Sequence, residues 1–533
     1  MHWSQVYNPL GSVVASTLVA AVPVIVLLGC IASGRVRAHW AALIALATAF
    51  AVATGVVGMP ARAAASATLL GAAYGLLPIC WIVLNILFLY RLTSEHGAFA
   101  RMKSSIASLS TDPAIQLVLI AFALGSFFEG TAGFGTPVAI TGALLIGLGF
   151  SPLQASGLSL IANTAPVAFG AMGSPHIALQ SVTGLDMMSL SRMIGRQLSI
   201  FSLIVPFWLI AAYGGWATVR RVWPVLLVAG VSFAVPQLLM SNLHGPTLVA
   251  VVSSVLCLSA TAAFVRLTRG GREGERQVVA PGELRAWIPW VILCVFVFAW
   301  GLPASKTFLN HLYAPQIHVP WLDGVVSRMP PVVPKPQEEP AVFSFNILSA
   351  TGTSILAAAL AGGLFLGFSL RGMARAYGRT LMVVWPSLLT ISAMMAIGYL
   401  TRYSGLDAIL GLAFARTGVL YPLFGTMLGW LGVALTGSDT SSNVLFGSLQ
   451  RITATQLGLS PILMSAANSS GGVMGKMIDV QSIVVASTAT NATGEEGNIL
   501  RFVFRHSIVL ALLVGMLVLL QAYVPPFTAM VVR

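Results

Sequence analysis

The apolar stretch from Leu124 to Pro175 most constrains the fold, because it suits a membrane but is broken twice by glycine and proline. The first break is Glu129–Pro137 (EGTAGFGTP) and the second is Asn163–Pro175 (NTAPVAFGAMGSP). Glycine and proline at this density end a helix, and backbone released at membrane depth is tolerated only where protein or a water-filled cavity satisfies it. The stretch is therefore a candidate binding site and not a plain spanning helix.

A second stretch, from Gly418 to Glu495, repeats this plan. It has one polar break at Thr436–Asn443 (TGSDTSSN) and another at Asn468–Lys476 (NSSGGVMGK). Paired, interrupted apolar segments in the two halves of a chain indicate the binding site of a secondary transporter.

Composition places the whole chain in a membrane. Of its 533 residues 57% are hydrophobic and 8% are charged, whereas about a quarter of the residues are charged in a soluble domain. A span needs about 20 apolar residues, and the chain predicts an all-α polytopic membrane protein with about 12 transmembrane helices. The predicted spans are 11–34, 40–59, 70–90, 152–190 (broken), 192–214, 222–241, 245–265, 286–302, 347–370, 380–400, 461–500 (broken) and 506–525.

The net charge of +13 reflects orientation and not nucleic-acid binding, because the basic residues are scattered through short loops. When the loops richest in arginine are assigned to the inside, both termini lie outside. The four cysteines lie within apolar spans and are interpreted as small core residues.

Two short arms flank the first break. Ala114–Phe128 and Val138–Gly149 would each extend about 18–22 Å, too short to cross, so they predict a re-entrant hairpin followed by a helix unwound at Asn163–Pro175. The distribution of lysine and arginine in the loops predicts that the second hairpin opens to the face of the membrane opposite to the first. The two units would then form an inverted repeat. The predicted units are scaffold helices (1–113), a first hairpin and broken helix (114–190), scaffold helices (191–302), an irregular proline-rich outer loop (303–346), scaffold helices (347–402), a second hairpin and broken helix (403–500) and a C-terminal span (501–533).

Two carboxylates, Glu129 and Asp439, occupy equivalent places in the two hairpins. A carboxylate within a membrane is functional by default, and a buried one can load and release a proton, so both are candidates for proton coupling. The alternative is that they cap helix N-termini, which suits Asp439 in its SDTSS context. His176 is a third candidate for proton coupling, or a packed neutral histidine.

The breaks also offer hydroxyls, amides and free N–H groups, which suit a small carboxylate at helix N-termini. Lys476, the only lysine in a break, could pair with such a substrate or with Asp479. The glycines could instead serve close helix packing. The candidate substrate-binding residues are Gly133, Gly135, Thr136, Asn163, Thr164, Ser438, Thr440, Ser441, Asn443, Asn468, Ser469, Ser470 and Lys476.

The sequence contains no nucleophile elbow, nucleotide-binding loop, His-Glu-x-x-His helix or aspartate-rich metal motif. No cofactor or metal is expected. This favours a transporter driven by an ion gradient over a membrane-embedded enzyme acting on a lipid-linked substrate. A channel is disfavoured because two non-identical inverted halves suit alternating movement better than a fixed pore.

The chain has long motifs around its breaks that are similar to those of the bacterial L-lactate permeases. On these motifs it resembles that family over nearly its whole length. The motifs are Trp81–Asn85, Glu129–Ile140, Ile161–Gly173, Gly195–Leu198, Thr436–Asn443, Gly471–Ile478 and Arg505–Ser507. The resemblance implies proton-coupled symport of L-lactate, D-lactate and glycolate across the bacterial inner membrane. A wider resemblance to the ion-transporter superfamily implies elevator-like motion and a homodimer.

Two segments depart from the family pattern. The chain has Asp479-Val-Gln481 where the family usually has Ser-Pro-Gln, and Ser174-Pro-His176 where it tends to have Ile-Pro-Ile. Both changes place ionisable groups beside breaks. They keep two alternatives open, a different organic anion and coupling to sodium.

Overall fold

The computed structural model describes residues 2–33, 35–98, 109–131, 136–269, 285–492 and 495–532, and this part is mostly helical. The helices are α1 (Val13–Ala32), α2 (Ala38–Gly55), α3 (Ala61–Glu95), α4 (Pro113–Thr131), α5 (Thr136–Gly147), α6 (Pro152–Ala162), α7 (Gly170–Thr183), α8 (Met187–Leu243), α9 (Val249–Arg269), α10 (Ile288–Gly301), α11 (Pro303–Leu312), α12 (Thr351–Phe365), α13 (Leu370–Ser404), α14 (Leu406–Phe414), α15 (Tyr421–Thr436), α16 (Asp439–Gln456), α17 (Pro461–Gly475), α18 (Val480–Ala489) and α19 (Glu496–Tyr523).

Within the described ranges, nine helices are long and apolar enough to cross a membrane, or up to eleven if each of two bent pairs forms one span. The chain is thus a multi-pass membrane protein. This count treats α8 as one helix, although its 57 residues would extend about 86 Å if straight. Its backbone departs from helical geometry at Gly214 and Gly215, and the Ser191 hydroxyl donates to the Ser241 carbonyl at 2.9 Å. The two halves of α8 therefore fold back on each other.

The helix before the first break is longer than the sequence predicts. It was expected to end at Phe128 but continues to Thr131, so Glu129 lies in the last helical turn and not in the break. The reason is local: no proline follows Phe128 until Pro137, and the Thr131 hydroxyl bonds back to the Phe127 carbonyl at 2.9 Å.

The next helix is bent and locally unwound. The bend between α6 and the segment Val167–Thr183 is 65°. At the start of α7 the backbone is left-handed, with φ of 42° at Ala171, 56° at Met172 and 77° at Gly173. A carbon added at Gly173 would lie 3.0 Å from the Pro246 carbonyl oxygen, so glycine serves both the turn and the close contact.

The predicted break at Asn468–Lys476 is wrong in position. α17 continues through Gly475, and the helical path ends only at the 3-10 turn Lys476–Ile478. The glycines allow close packing instead. A carbon added at Gly471 would lie 2.3 Å from the Thr426 carbonyl oxygen. A carbon added at Gly475 would lie 2.3 Å from the Trp430 carbonyl oxygen. The helix survives because α15 packs against it at backbone distance, as small residues allow between membrane helices.

The segment 303–346 is ordered and not irregular. After α11 it contains four short strands: β2 (Gln316–His318), β3 (Val326–Arg328), β4 (Gln337–Glu338) and β5 (Val342–Ser344). The strand β1 (Trp3–Ser4) pairs in parallel with β3, while β4 and β5 pair antiparallel with β3 and β2. The prolines of the segment all lie outside these strands, so every strand residue keeps a backbone N–H group.

A buried ion cluster fastens this segment to the helices. Glu339 accepts hydrogen bonds from Arg328 and, at 3.0 Å, from Arg402 at the end of α13. Arg402 also donates to the Ser181 carbonyl on α7 at 3.1 Å, and the Gln5 amide donates to the Arg402 carbonyl at 2.9 Å. Burial opposes ionisation of Glu339, but Arg402 and Arg328 outweigh it, so the pKa of Glu339 lies below its usual value.

We expect Gly471→Ala to destabilise the protein by about 1–3 kcal/mol, because the added carbon would overlap the Thr426 carbonyl and separate α15 from α17. Thermal unfolding of the purified protein measures this. The control is Gly147→Ala on α5, where nothing lies within 4 Å of the added carbon; equal unfolding midpoints for the two variants would contradict the packing role.

We expect Glu339→Gln to destabilise the protein at pH 7 by about 3–5 kcal/mol, because two arginines lose their buried partner. Since the folded pKa of Glu339 is lowered, its ion pairs stabilise above the unfolded value of about 4.3 and are lost as pH falls through the folded pKa. The difference in stability between the wild type and Glu339→Gln should therefore become smaller as the pH falls. Unfolding midpoints from pH 7 to pH 3 test this, with Glu338→Gln, whose side chain is 64% exposed, as the control.

Candidate functional site

The two units meet where α7 packs against α16. The Asn443 amide on α16 donates to the Pro175 carbonyl on α7 at 3.2 Å. Residues at the end of a break in each unit therefore lie next to each other inside the protein, and most of the polar side chains around them are buried.

Glu129 is held by the second break of its own unit. The Asn163 amide nitrogen donates to Glu129 Oε2 at 3.0 Å, and both side chains are buried. The carboxylate also lies against bare backbone, since a carbon added at Gly170 would be 2.8 Å from Oε1. The side-chain oxygen Oδ1 of Asn163 is buried without a hydrogen-bond partner among the described residues.

Asp439 has hydroxyl and amide partners. Its Oδ2 accepts from the Ser469 hydroxyl at 2.5 Å and from the Asn443 amide at 3.4 Å, whereas Oδ1 is buried and makes no hydrogen bond within the described ranges. Asp439 does not cap α16; the cap is Ser438, whose hydroxyl accepts from the Ser441 N–H at 3.2 Å. The Asp439 carboxylate is thus available for another role.

A chain of amides orients Asn468. Its nitrogen donates to the Asn443 side-chain oxygen at 2.9 Å, and its oxygen accepts from Gln450 at 3.2 Å. The Tyr421 hydroxyl donates to Gln450 at 2.7 Å, which fixes the direction of the whole chain. Sequence reasoning missed Gln450, although its spacing of seven residues from Asn443 places both on one helical face.

Ser470 faces away from Asp439. Its hydroxyl donates to Gln197 on α8 at 2.6 Å, and Gln197 in turn donates to Gln521 on α19 at 3.2 Å. Gln197 lies within the motif Gly195–Leu198 but was not predicted as a site residue. The contact ties α17 to two neighbouring helices.

Lys476 is paired inside the protein. Its ammonium group donates to the Gly437 carbonyl at 2.6 Å and lies 3.1 Å from Asp479 Oδ2. Asp479 also accepts from the Ser482 N–H at 2.8 Å and so caps α18. Of the two partners weighed from the sequence, the structure contains Asp479. Lys476 is also close enough to interact electrostatically with Glu129 and Asp439.

The remaining candidates differ in their surroundings. The Thr164 hydroxyl bonds to the Ile161 carbonyl at 2.9 Å, and Thr440 is partly exposed. His176 is buried and stacks on Phe169 with ring centroids 4.7 Å apart. Gly133, Gly135 and the side chain of Thr136 lie outside the described residues. No three His, Cys, Asp or Glu side chains gather as a metal site in the part of the chain that the structure describes.

The chain is similar to known proteins over almost its full length. The family model for L-lactate permease matches residues 16–525. Glycolate permease GlcA of Escherichia coli K12 is 43% identical over 99% of both chains. The L-lactate permeases of Salmonella typhimurium and Bacillus subtilis are 42% and 40% identical, covering 98% of this chain and 98% and 99% of theirs.

Among solved structures, the YdaH transporter of Alcanivorax borkumensis aligns with 85% of this chain and 87% of its own. Its TM-score is 0.42 and its sequence identity is 14%. A likeness at that level carries no argument about this chain.

We expect Lys476→Met and Asp479→Asn each to destabilise the protein by about 3–5 kcal/mol, because each leaves one buried charge without its partner. Asparagine keeps the cap of α18, so the second variant isolates the charge. The double variant should lose clearly less than the sum of the single losses. Thermal unfolding of the four proteins measures the coupling, and additive losses would show that the ion pair does not matter.

Proposed function

Because the chain belongs to the L-lactate permease family, we propose that it carries L-lactate and related small 2-hydroxymonocarboxylates, including D-lactate and glycolate, across the bacterial inner membrane. The family supports the substrate class, since its named relatives are lactate and glycolate permeases. Protons drive the transport, entering with the substrate as a symport. Both termini face outward.

The contact between Asn163 and Glu129 is the observation that carries the proton-coupling proposal. It joins a carboxylate at the end of α4 to the break before α7. The Asn163 amide N–H donates to Glu129 Oε2, so protonation on that oxygen would place an O–H donor against the amide donor. A rotated Asn163 amide would then accept from the new O–H group through its presently unpaired oxygen. Loading a proton is thereby linked to a rearrangement of the break.

The substrate carboxylate binds between the two breaks in this proposal. Ser438 and its neighbours at the start of α16 offer hydroxyls and helix N-terminal N–H groups, which suit an anion. Lys476 supplies a positive charge, shared with Asp479. Asp439, whose Oδ1 is unpartnered in the described structure, is the second proton carrier, and its protonation would lower repulsion towards a bound anion.

Access to the site requires movement. Glu129, Asn163, Asp439 and Lys476 are each 6% exposed or less, so a substrate cannot reach them in the conformation described. We propose that the units 114–190 and 403–500 move together against the scaffold helices in an elevator-like manner, which exposes the site to each side in turn. The hydrogen bond from Asn443 to Pro175 supports joint movement of the two units.

Proteoliposomes containing the wild-type protein should accumulate labelled L-lactate under an imposed inward proton gradient, with or without sodium. Glu129→Gln should abolish this gradient-driven accumulation, because the amide cannot carry a proton, while exchange of internal for external lactate persists. Glu338→Gln makes the same chemical change on an exposed side chain and should leave uptake unchanged.

Other outcomes of this experiment would be equally informative. Gradient-driven accumulation by Glu129→Gln would remove Glu129 from the coupling path. Uptake that requires sodium would show sodium coupling in place of proton coupling. If the folded wild type takes up another organic anion but not lactate, the proposed substrate is wrong.

A further inference from the structure

A polar cavity lies beside the end of α7, beyond the candidate site. Its volume is about 330 Å³, within the range of small-molecule pockets. We call it the polar vestibule and define it by Tyr74, Gln180, Ser181, Tyr399, Arg402 and Tyr403. Pro340 and Val342, from the segment 303–346, cover one side.

The vestibule has unused hydrogen-bond donors. A guanidinium group carries five N–H donors, and Arg402 uses two of them for Ser181 and Glu339. Its Nε is buried without a partner among the described residues. The Gln180 side chain is partly exposed and makes no hydrogen bond to the part of the chain that the structure describes. Donors without acceptors along the wall of a polar cavity suit a ligand that supplies acceptors.

The surrounding charges favour an anion. Arg402 belongs to a cluster in which Arg328 and Arg451 also interact electrostatically with Glu339 and Asp407. Three arginines against two carboxylates leave at least one positive charge in excess. Glu339, which Arg402 binds at 3.0 Å, shows that the guanidinium already accommodates a carboxylate.

The position on α7 links the vestibule to the candidate site. Gln180 follows Pro175 by five residues, about 7.5 Å along a helix axis, and the Pro175 carbonyl accepts the Asn443 amide. One helix thus presents the candidate site near its beginning and the vestibule near its end.

We propose that the polar vestibule is a second binding site for a small monocarboxylate, in which Arg402 and Gln180 hold the anion before it passes along α7 to the candidate site. The choice of ligand rests on the proposed function. The site itself rests on the cavity, its unpaired donors and its charge.

Binding of labelled L-lactate to the purified full chain in nanodiscs tests the proposal. The wild type should bind two molecules per chain, and Gln180→Leu should lose or weaken one site about tenfold, as expected for one hydrogen bond to a charged group. Asn163→Leu, at the candidate site, should retain the Gln180-sensitive site. The control Gln316→Leu makes the same change on the segment 303–346 outside the cavity and should bind two.

A second variant guards against misfolding of the first. Gln180→Glu keeps the size of the side chain but adds a negative charge, so it should also weaken the vestibule site. In proteoliposomes, either variant should change the KM for L-lactate more than the maximal rate. The factor by which KM rises should be about ten times the factor by which the maximal rate falls.

The outcomes separate this inference from the proposed function. A wild type that transports L-lactate but binds one molecule per chain would overturn the vestibule site and leave the function standing. A wild type that transports none, yet binds L-lactate at a site sensitive to Gln180, would support the vestibule and refute the function. Two sites that are both indifferent to Gln180 would overturn the inference.

Discussion

The need to satisfy polar groups without water shapes this structure more than any other constraint. A membrane protein that interrupts its helices must supply partners for the released backbone and for every buried amide and carboxylate. Here the second unit does so with its own side chains: Ser438 and Asp479 cap the helices that follow its breaks, and Gln450 anchors the amide chain through Asn468. The interruptions are stable because the residues around them are polar.

Each unit leaves an oxygen unpaired beside its buried carboxylate or on it. In the first unit Asn163 donates to Glu129, and the Asn163 Oδ1 stays unpaired within the described structure. In the second unit the unpaired atom is Asp439 Oδ1. A partly satisfied buried network has alternative arrangements close in energy, whereas a complete one is held in a single arrangement. The two unpaired oxygens lie at the two proposed proton carriers, Glu129 and Asp439, whereas the amide chain through Asn468 holds the geometry around them.

Much of this organisation could be predicted from the sequence, because glycine, proline and polar residues within apolar stretches are local signals. The end of a helix inside a glycine run could not. Gly471 and Gly475 signal a break by composition, yet α17 continues through them because α15 packs against that surface, and a neighbouring helix is not visible in a local pattern. Gln450 and Gln197 were missed for a related reason: each follows an ordinary helical pattern, and only the tertiary contact gives its amide a role. In the segment 303–346, strand β3 pairs with β1 at the start of the chain, and a partner so distant in sequence is not visible in a local pattern either.

That last contact has a consequence for how the protein is made. Trp3 pairs with Val326, and Gln5 bonds to the backbone of Arg402. At about 5–20 residues per second, a ribosome needs roughly 20–80 s to reach Arg402 after it has made Gln5. During that interval the first residues have already left the ribosome, and their final partners do not yet exist. The pairing of the N-terminal strand is therefore a late step of assembly, because it must wait until Val326 and Arg402 have been made.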